Sequence, residues 1–148
     1  MKITGVKVYR VAPKSNYVKV ETDEGICGWG EPVVEGRSRA TAVAVKELGE
    51  QLIGMDPENI EDLFNVMYRG NFYQGGPVLC SAISGIEQAL WDIKGKKYGV
   101  PVYQLIGGAA KEKQKVYAWI HGETPEELAA DALNRLSEGY HYGKMCIC

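Results

Sequence analysis

No apolar run in the 148 residues is long enough to cross a membrane, and no basic-then-apolar leader follows Met1. The sequence therefore supports neither membrane insertion nor secretion, and the expected compartment is the cytoplasm. No block of like charge occurs either. Seventeen basic residues against nineteen acidic ones leave a formal charge of -2, which argues against a nucleic-acid partner and against a charged disordered tail. Cysteine is sparse and scattered. Cys27, Cys80, Cys146 and Cys148 frame no small loop-rich domain, so reduced thiols are expected. Cys146-x-Cys148 would put two thiols on one strand face, but a four-ligand structural zinc site would need both His121 and His141 as well, so none is expected. What the chain does have is core-forming material: 45% of it is apolar, enough for one domain or for a small domain plus part of a second.

The hydrophobic period changes along the chain. "ITGVKVYRV" (3–11) and "YVKVETDEGICGWGE" (17–31) alternate, as in Tyr17, Lys19 and Glu21 against Val18, Val20 and Thr22, and read as strands. Asp23-Glu24-Gly25 supplies a hairpin turn with glycine at a positive-φ position, giving a three-stranded antiparallel meander. From Gly36 the period is helical, with Ala40, Ala44, Leu48 and Leu52 at four-residue steps until Gly54. Asp56-Pro57 reads as an N-cap and first-turn proline for a second helix carrying Ile60, Leu63, Phe64 and Met67. The loop "NFYQGGP" leads into a longer third helix with the stripe Leu79, Ala82, Ile83, Ile86, Leu90 and Ile93, closing at Tyr98-Gly99. Strands followed by helices predict an α+β domain over residues 1–110.

After the connector "VPVYQLIGGAAKEK" the pattern restarts as a strand, "KVYAWI" (115–120). A helix follows, opened by Thr124, Pro125 and Glu127, an S/T-x-x-E capping box, and closed by Gly139. A second strand comes next in "YHYGKMCIC". Strand, helix, strand over about 30 residues is a βαβ unit, which demands parallel pairing and further repeats to cover its faces. Residues 115–148 thus read as the first three elements of an incomplete repeating α/β structure. "GICGWG" (25–30) has the glycine spacing of a dinucleotide loop, but it lies in a hairpin and opens no helix, so that reading is set aside. Glu87 and Asp92, near Lys94 and Lys96, read as surface or interhelix pairs rather than paired catalytic carboxylates.

The runs "ETDEGICGWGEPVVEGR" (21–37) and "FYQGGPVLCSAISGIEQALWDIKGKKYGVPVYQLIGG" (72–108), with the lysine strand at 144, resemble the enolase superfamily. Within it they are most similar to the mandelate racemase and muconate lactonizing branch and its acid-sugar dehydratases of galactonate dehydratase type. The resemblance implies an enolase-like N-terminal capping domain (1–110) and the first βαβ of a (β/α) barrel (111–148, truncated). It also implies Mg2+ in the complete enzyme, held by three acidic residues at the third, fourth and fifth barrel strands, with a small-molecule acid sugar as substrate. Those ligands and the family's histidine acid/base are expected beyond Cys148, so no metal is expected on this chain alone. The alternative expectation is a catalytically inactive truncated homologue that serves as a self-associating or partner-binding domain.

The resemblance further implies that Lys144, at the end of barrel strand two, approaches the substrate carboxylate and is the catalytic-site residue of this stretch. Related dehydratases show Lys-x-Asn where this chain has Lys144-Met145-Cys146. The hairpin loop Pro13-Lys14-Ser15-Asn16 falls where the family drops a mobile loop over the substrate, making Lys14 and Asn16 substrate-binding candidates. Tyr73 and Gln74 are candidates because they precede a helix N-terminus, where backbone N–H groups receive anions; relatives often carry arginine at the position of Gln74. His121, in "WIHGE", follows the first barrel strand and has no fixed orienting partner in the sequence. An unpaired strand edge and bare apolar faces on the βαβ unit lead to the expectation of a homo-oligomer.

Overall fold

The alternating segments form three antiparallel strands, β1 (Ile3–Val11), β2 (Ser15–Thr22) and β3 (Cys27–Gly30), in the order β1-β2-β3. The computed structural model describes residues 1–11 and 15–146. Register follows the pleat: Val6 opposes Val20 and Val8 opposes Val18 on the inner face, whereas Lys7 opposes Lys19 and Tyr9 opposes Tyr17 on the outer one. The outer face is tied by charge. Glu21 binds Lys7 at 2.7 Å and Lys19 at 2.9 Å, and these hydrogen-bonded ammonium groups hold its carboxyl below the ordinary range.

Helix α1 (Ser38–Leu52) buries Thr41, Ala44, Val45, Leu48 and Leu52, while Ala40, expected in the stripe, is exposed. Four-residue spacing drifts around a 3.6-residue helix, so the buried face passes from Ala44 to Thr41 on the preceding turn. Helix α2 (Ile60–Arg69) starts later than the Asp56-Pro57 signal predicts. Asp56 instead forms a separate turn, its Oδ1 accepting from the Glu58 N–H at 3.0 Å and its carbonyl from the Asn59 N–H at 3.2 Å. Helix α3 (Pro77–Tyr98) spans 22 residues and ends at Gly99, whose left-handed φ of 67° lets its N–H reach back to the carbonyls of Gly95 and Lys96. A short α4 (Val102–Leu105) follows.

The inner sheet face and these helices enclose one core, with Val18, Val20, Val45, Leu52, Leu63, Ile86 and Leu90 fully buried. Each large side chain sealed this way contributes about 1.5–3 kcal/mol relative to exposure. The closest approach within it is between β3 and α3, where a Cβ on Gly28 would lie 1.9 Å from the Ala89 carbonyl oxygen and one on Gly30 1.9 Å from that of Gly85. Two glycines on one strand face thus let sheet backbone rest directly on helix backbone.

That contact also closes the sheet. Among the described residues no strand pairs with the outer edge of β3, and side chains one helical turn apart on α3 take its place. Gln88 accepts from the Glu31 N–H at 2.9 Å, Asp92 accepts from the Trp29 N–H at 2.9 Å, and Lys96 donates to the Cys27 carbonyl at 2.8 Å. A helix covering a strand edge removes a template for unwanted pairing. Asp92, expected as a surface pair, does bind Lys96 at 2.7 Å, but its second role at the β3 edge was not anticipated from the sequence.

The chain divides into two units, Met1–Gly108 and Ala109–Cys148. In the second, β4 (Ala118–Trp119) pairs in parallel with β5 (Gly143–Lys144) across helix α5 (Pro125–Ser137). Both strands are shorter than the runs 115–120 and 140–146 suggest, because only residues facing a partner form a ladder; residues 147 and 148 lie outside the described residues. The capping box is present as expected: Thr124 Oγ1 accepts from the Glu127 N–H at 3.2 Å, and Glu127 Oε2 accepts from the Thr124 N–H at 3.3 Å. Helix α5 has no fully buried residue. No helix among the described residues is long and apolar enough to cross a membrane.

Candidate functional site

Alternation along β4 sorts its side chains between two faces. Ala118 and Ile120 point to one side, and Ile120 shares a groove with Ala129, Ala132, Leu133 and Leu136 of α5. Tyr117, Trp119 and His121 therefore fall on the face away from the helix. Parallel pairing of Trp119 with Lys144 brings the lysine to that same face. Its Nζ lies 4.7 Å from the Trp119 ring centroid and 5.5 Å from that of Tyr117. His121 stacks on Trp119, with centroids 6.3 Å apart and planes inclined by 19°.

The face is held from behind. The Ala118 N–H donates to the Tyr142 carbonyl at 3.0 Å and the Ile120 N–H to the Lys144 carbonyl at 2.9 Å. Asp131 on α5 accepts from the His121 N–H at 2.9 Å, which orients the backbone of a residue that sequence reading left without a partner. The side-chain ion pairs of this unit join Arg135 to Asp131 and Glu138, and among the described residues none reaches Lys144. The arrangement is a cation against aromatic rings with no acidic side chain paired to it among the described residues, suited to receiving an organic anion. Sequence reading singled out Lys144 and His121 but missed Trp119 and Tyr117; the period-2 alternation through "YAWIH" was the available signal.

The remaining candidates lie in the first unit. Lys14, with Pro13, lies outside the described residues. Asn16 is not in a loop: it belongs to β2, opposite Arg10, and is fully buried. Its Nδ2 donates to the Ser38 carbonyl at 2.7 Å and the Pro32 carbonyl at 3.3 Å, tying the start of β2 to the segment that leads into α1. Tyr73 and Gln74 are exposed on the loop before α3, Tyr73 at 83% and edge-on to Phe72 with centroids 5.1 Å apart. That helix begins at Gly76 with no side-chain cap. Among the described residues no three His, Cys, Asp or Glu side chains gather to hold a metal ion. The described residues thus do not by themselves fit a Mg2+ ion.

A three-stranded antiparallel sheet packed on helices, followed by a small parallel sheet, defines the class: an enolase-type N-terminal capping domain with a βαβ unit after it. Residues 10–107 match the mandelate racemase / muconate lactonizing enzyme N-terminal domain, and the chain belongs to that family. It is similar to the D-galactonate dehydratase of Variovorax paradoxus, with 58% identity over 94% of this chain and 36% of that protein. It is also similar to the D-galactonate dehydratase of Cronobacter sakazakii, with 53% identity over all of this chain and 39% of that one. Among solved structures it resembles an enolase from Pantoea ananatis with bound D-gluconate and Mg, at 38% identity and a TM-score of 0.90, over 98% of this chain and 36% of that one. It also resembles an enolase-superfamily member from Salmonella Typhimurium, at 39% identity and a TM-score of 0.90, over 97% of this chain and 41% of that one. The chain thus spans less than half the length of each.

Proposed function

We propose that this chain is the capping domain (1–110) and the opening of the barrel (111–148) of a cytoplasmic, homo-oligomeric, Mg2+-dependent acid-sugar dehydratase acting on galactonate or a close aldonic acid. The observation that carries the reading is the likeness to D-galactonate dehydratases along the whole chain. The neighbour whose structure holds D-gluconate and Mg supports an aldonic acid and the metal. The reaction removes the proton α to a carboxylate and expels the β-hydroxyl, and the resulting enol becomes a 2-keto-3-deoxy acid.

The part this chain plays is electrostatic. Lys144, with no carboxylate partner among the described residues, places a positive charge where the substrate carboxylate gathers electron density as the α-proton leaves. Tyr73 and Gln74 line an exposed loop that can meet the polyol. Asn16 contributes by tying the start of β2 to the segment that leads into α1.

The test uses the native gene product purified from its source. Its intact mass is compared with the 16.3 kDa of this sequence, and it is assayed with D-galactonate and Mg2+ for a 2-keto-3-deoxy acid. Turnover that is lost on chelation and restored by Mg2+ is the expected result. A product that dehydrates no aldonic acid under these conditions overturns the reading in favour of a self-associating or partner-binding fold, and light scattering then reports the association.

A further inference from the structure

We propose that Trp119 is the positioning residue of Lys144, its indole face holding the ammonium, with Tyr117 at its flank, so that the charge is presented to a small organic carboxylate. The inference rests on the reading of Lys144 as the lysine that meets the substrate carboxylate.

Three observations carry it. First, the ammonium lies 4.7 Å from the Trp119 ring centroid and 5.5 Å from that of Tyr117, both within cation–π range. Second, nothing else in the described structure restrains it. Lysine has a flexible four-carbon stem, β5 is only two residues long, and no acidic side chain pairs with Nζ. Third, Trp119 is itself set by its neighbours: its strand is bonded to Tyr142 and Lys144, and His121 stacks on its ring.

A ring differs from a carboxylate as a holder of lysine. An Asp or Glu partner would orient the ammonium but neutralise it. The π face orients it through the ring quadrupole and leaves the full charge for an incoming anion. It also replaces water on one side of the ammonium, so less hydration is lost when the carboxylate arrives.

The test measures the KM and kcat of the native gene product for D-galactonate in Trp119→Leu, Trp119→Phe, Lys144→Met and the Trp119→Leu/Lys144→Met double variant. Trp119→Leu is expected to raise KM roughly two- to fivefold, the effect of one cation–π contact at an exposed site. Trp119→Phe restores most of the loss, and Trp119→Leu adds nothing once Lys144 is gone. An unchanged KM in Trp119→Leu, or the same increase with and without Lys144, overturns the positioning role while the reading of Lys144 stands. An unchanged KM in Lys144→Met overturns that reading and the inference with it. Independently of turnover, NMR of the native gene product should show the Lys144 ε-methylene protons upfield of other lysines, shifted back by Trp119→Leu and not by Trp119→Phe. Protons at the ordinary lysine position overturn the inference directly.

Discussion

Replacing Gly30 by alanine tests the backbone-on-backbone contact that joins β3 to α3. The added Cβ would lie 1.9 Å from the Gly85 carbonyl oxygen, and α3 would have to recede by about 1.1 Å to reach even 3.0 Å. A helix carbonyl cannot rotate away as a side chain does, so the strain spreads along the interface. Overpacking of a filled core costs about 1–3 kcal/mol. The same displacement stretches the 2.9 Å bonds from the Trp29 and Glu31 N–H groups to Asp92 and Gln88 beyond hydrogen-bonding range. Their loss adds about 1–3 kcal/mol, the charged acceptor Asp92 contributing most.

The expected cost is therefore about 3 kcal/mol or more, against a total stability of about 5–15 kcal/mol for a domain of this size. It corresponds to a fall in Tm of roughly 12–24 °C. Urea unfolding followed by the fluorescence of Trp29 and Trp91, in a Trp119→Phe background that silences the second unit, measures it. Gly30→Ala and Asp92→Ala should be clearly less than additive, because the first already opens the bond that the second removes. A cost below about 0.5 kcal/mol, or simple additivity, would refute the argument that this contact closes the sheet edge.

Three further outcomes follow from the structure. Asn16→Ala leaves the Pro32 and Ser38 carbonyls without their donor and should destabilise the first unit by about 1–3 kcal/mol in the same unfolding assay; a neutral result would mean that water replaces the amide without cost. Glu58 accepts from Lys97 and, at 2.6 Å, from the Tyr98 hydroxyl, and these two contacts depress its pKa below 4.5. The folded state therefore releases this proton more readily than the unfolded one, so the stabilisation is complete above pH 4.5 and lost as pH falls through the lower folded value. Glu58→Gln should cost about 1 kcal/mol at pH 7, after allowance for solvent screening, and the gap to wild type should narrow below pH 4.5; a gap independent of pH down to 2 would contradict this. Thr124→Ala removes the side-chain acceptor of the Glu127 N–H and should cost about 1 kcal/mol in α5, read as faster amide exchange confined to that helix; unchanged exchange would rule out the cap as a stabilising element.

Helix existence and the meander were legible because period and punctuation are local: Gly25, Gly99 and the Thr124 box each act within a few residues. Details that depend on distant partners were not. Asp56-Pro57 is a valid start signal, yet the buried face of α2 begins at Ile60, so the helix starts there and the earlier residues form their own turn. Asn16 reads as a loop residue because polar residues collect in turns. Its burial depends on two carbonyls 16 and 22 residues away, which no local window contains. At the candidate site the lysine was legible through family resemblance, whereas its aromatic holders become visible only when parallel pairing sets Trp119 beside Lys144.

The two long runs that carried the resemblance, 21–37 and 72–108, are the two sides of one interface. Gly28 lies against Ala89, Gly30 against Gly85, and Gly85 against Pro32, where a Cβ would come within 2.6 Å of the proline ring. Glu31, Trp29 and Cys27 are bonded to Gln88, Asp92 and Lys96, and the Ser81 hydroxyl donates to the Val33 carbonyl at 2.5 Å. At such an interface glycine is required where backbone meets backbone, and one particular polar side chain is required where a strand edge must be closed. Few other residues satisfy either condition. A core of interchangeable Leu, Ile and Val would specify the fold class but little more, since volume-conserving exchanges are tolerated there. The residues of these two runs that meet backbone or close the strand edge are thus ones whose replacement the packing resists, and what they do in the structure is hold the first unit together.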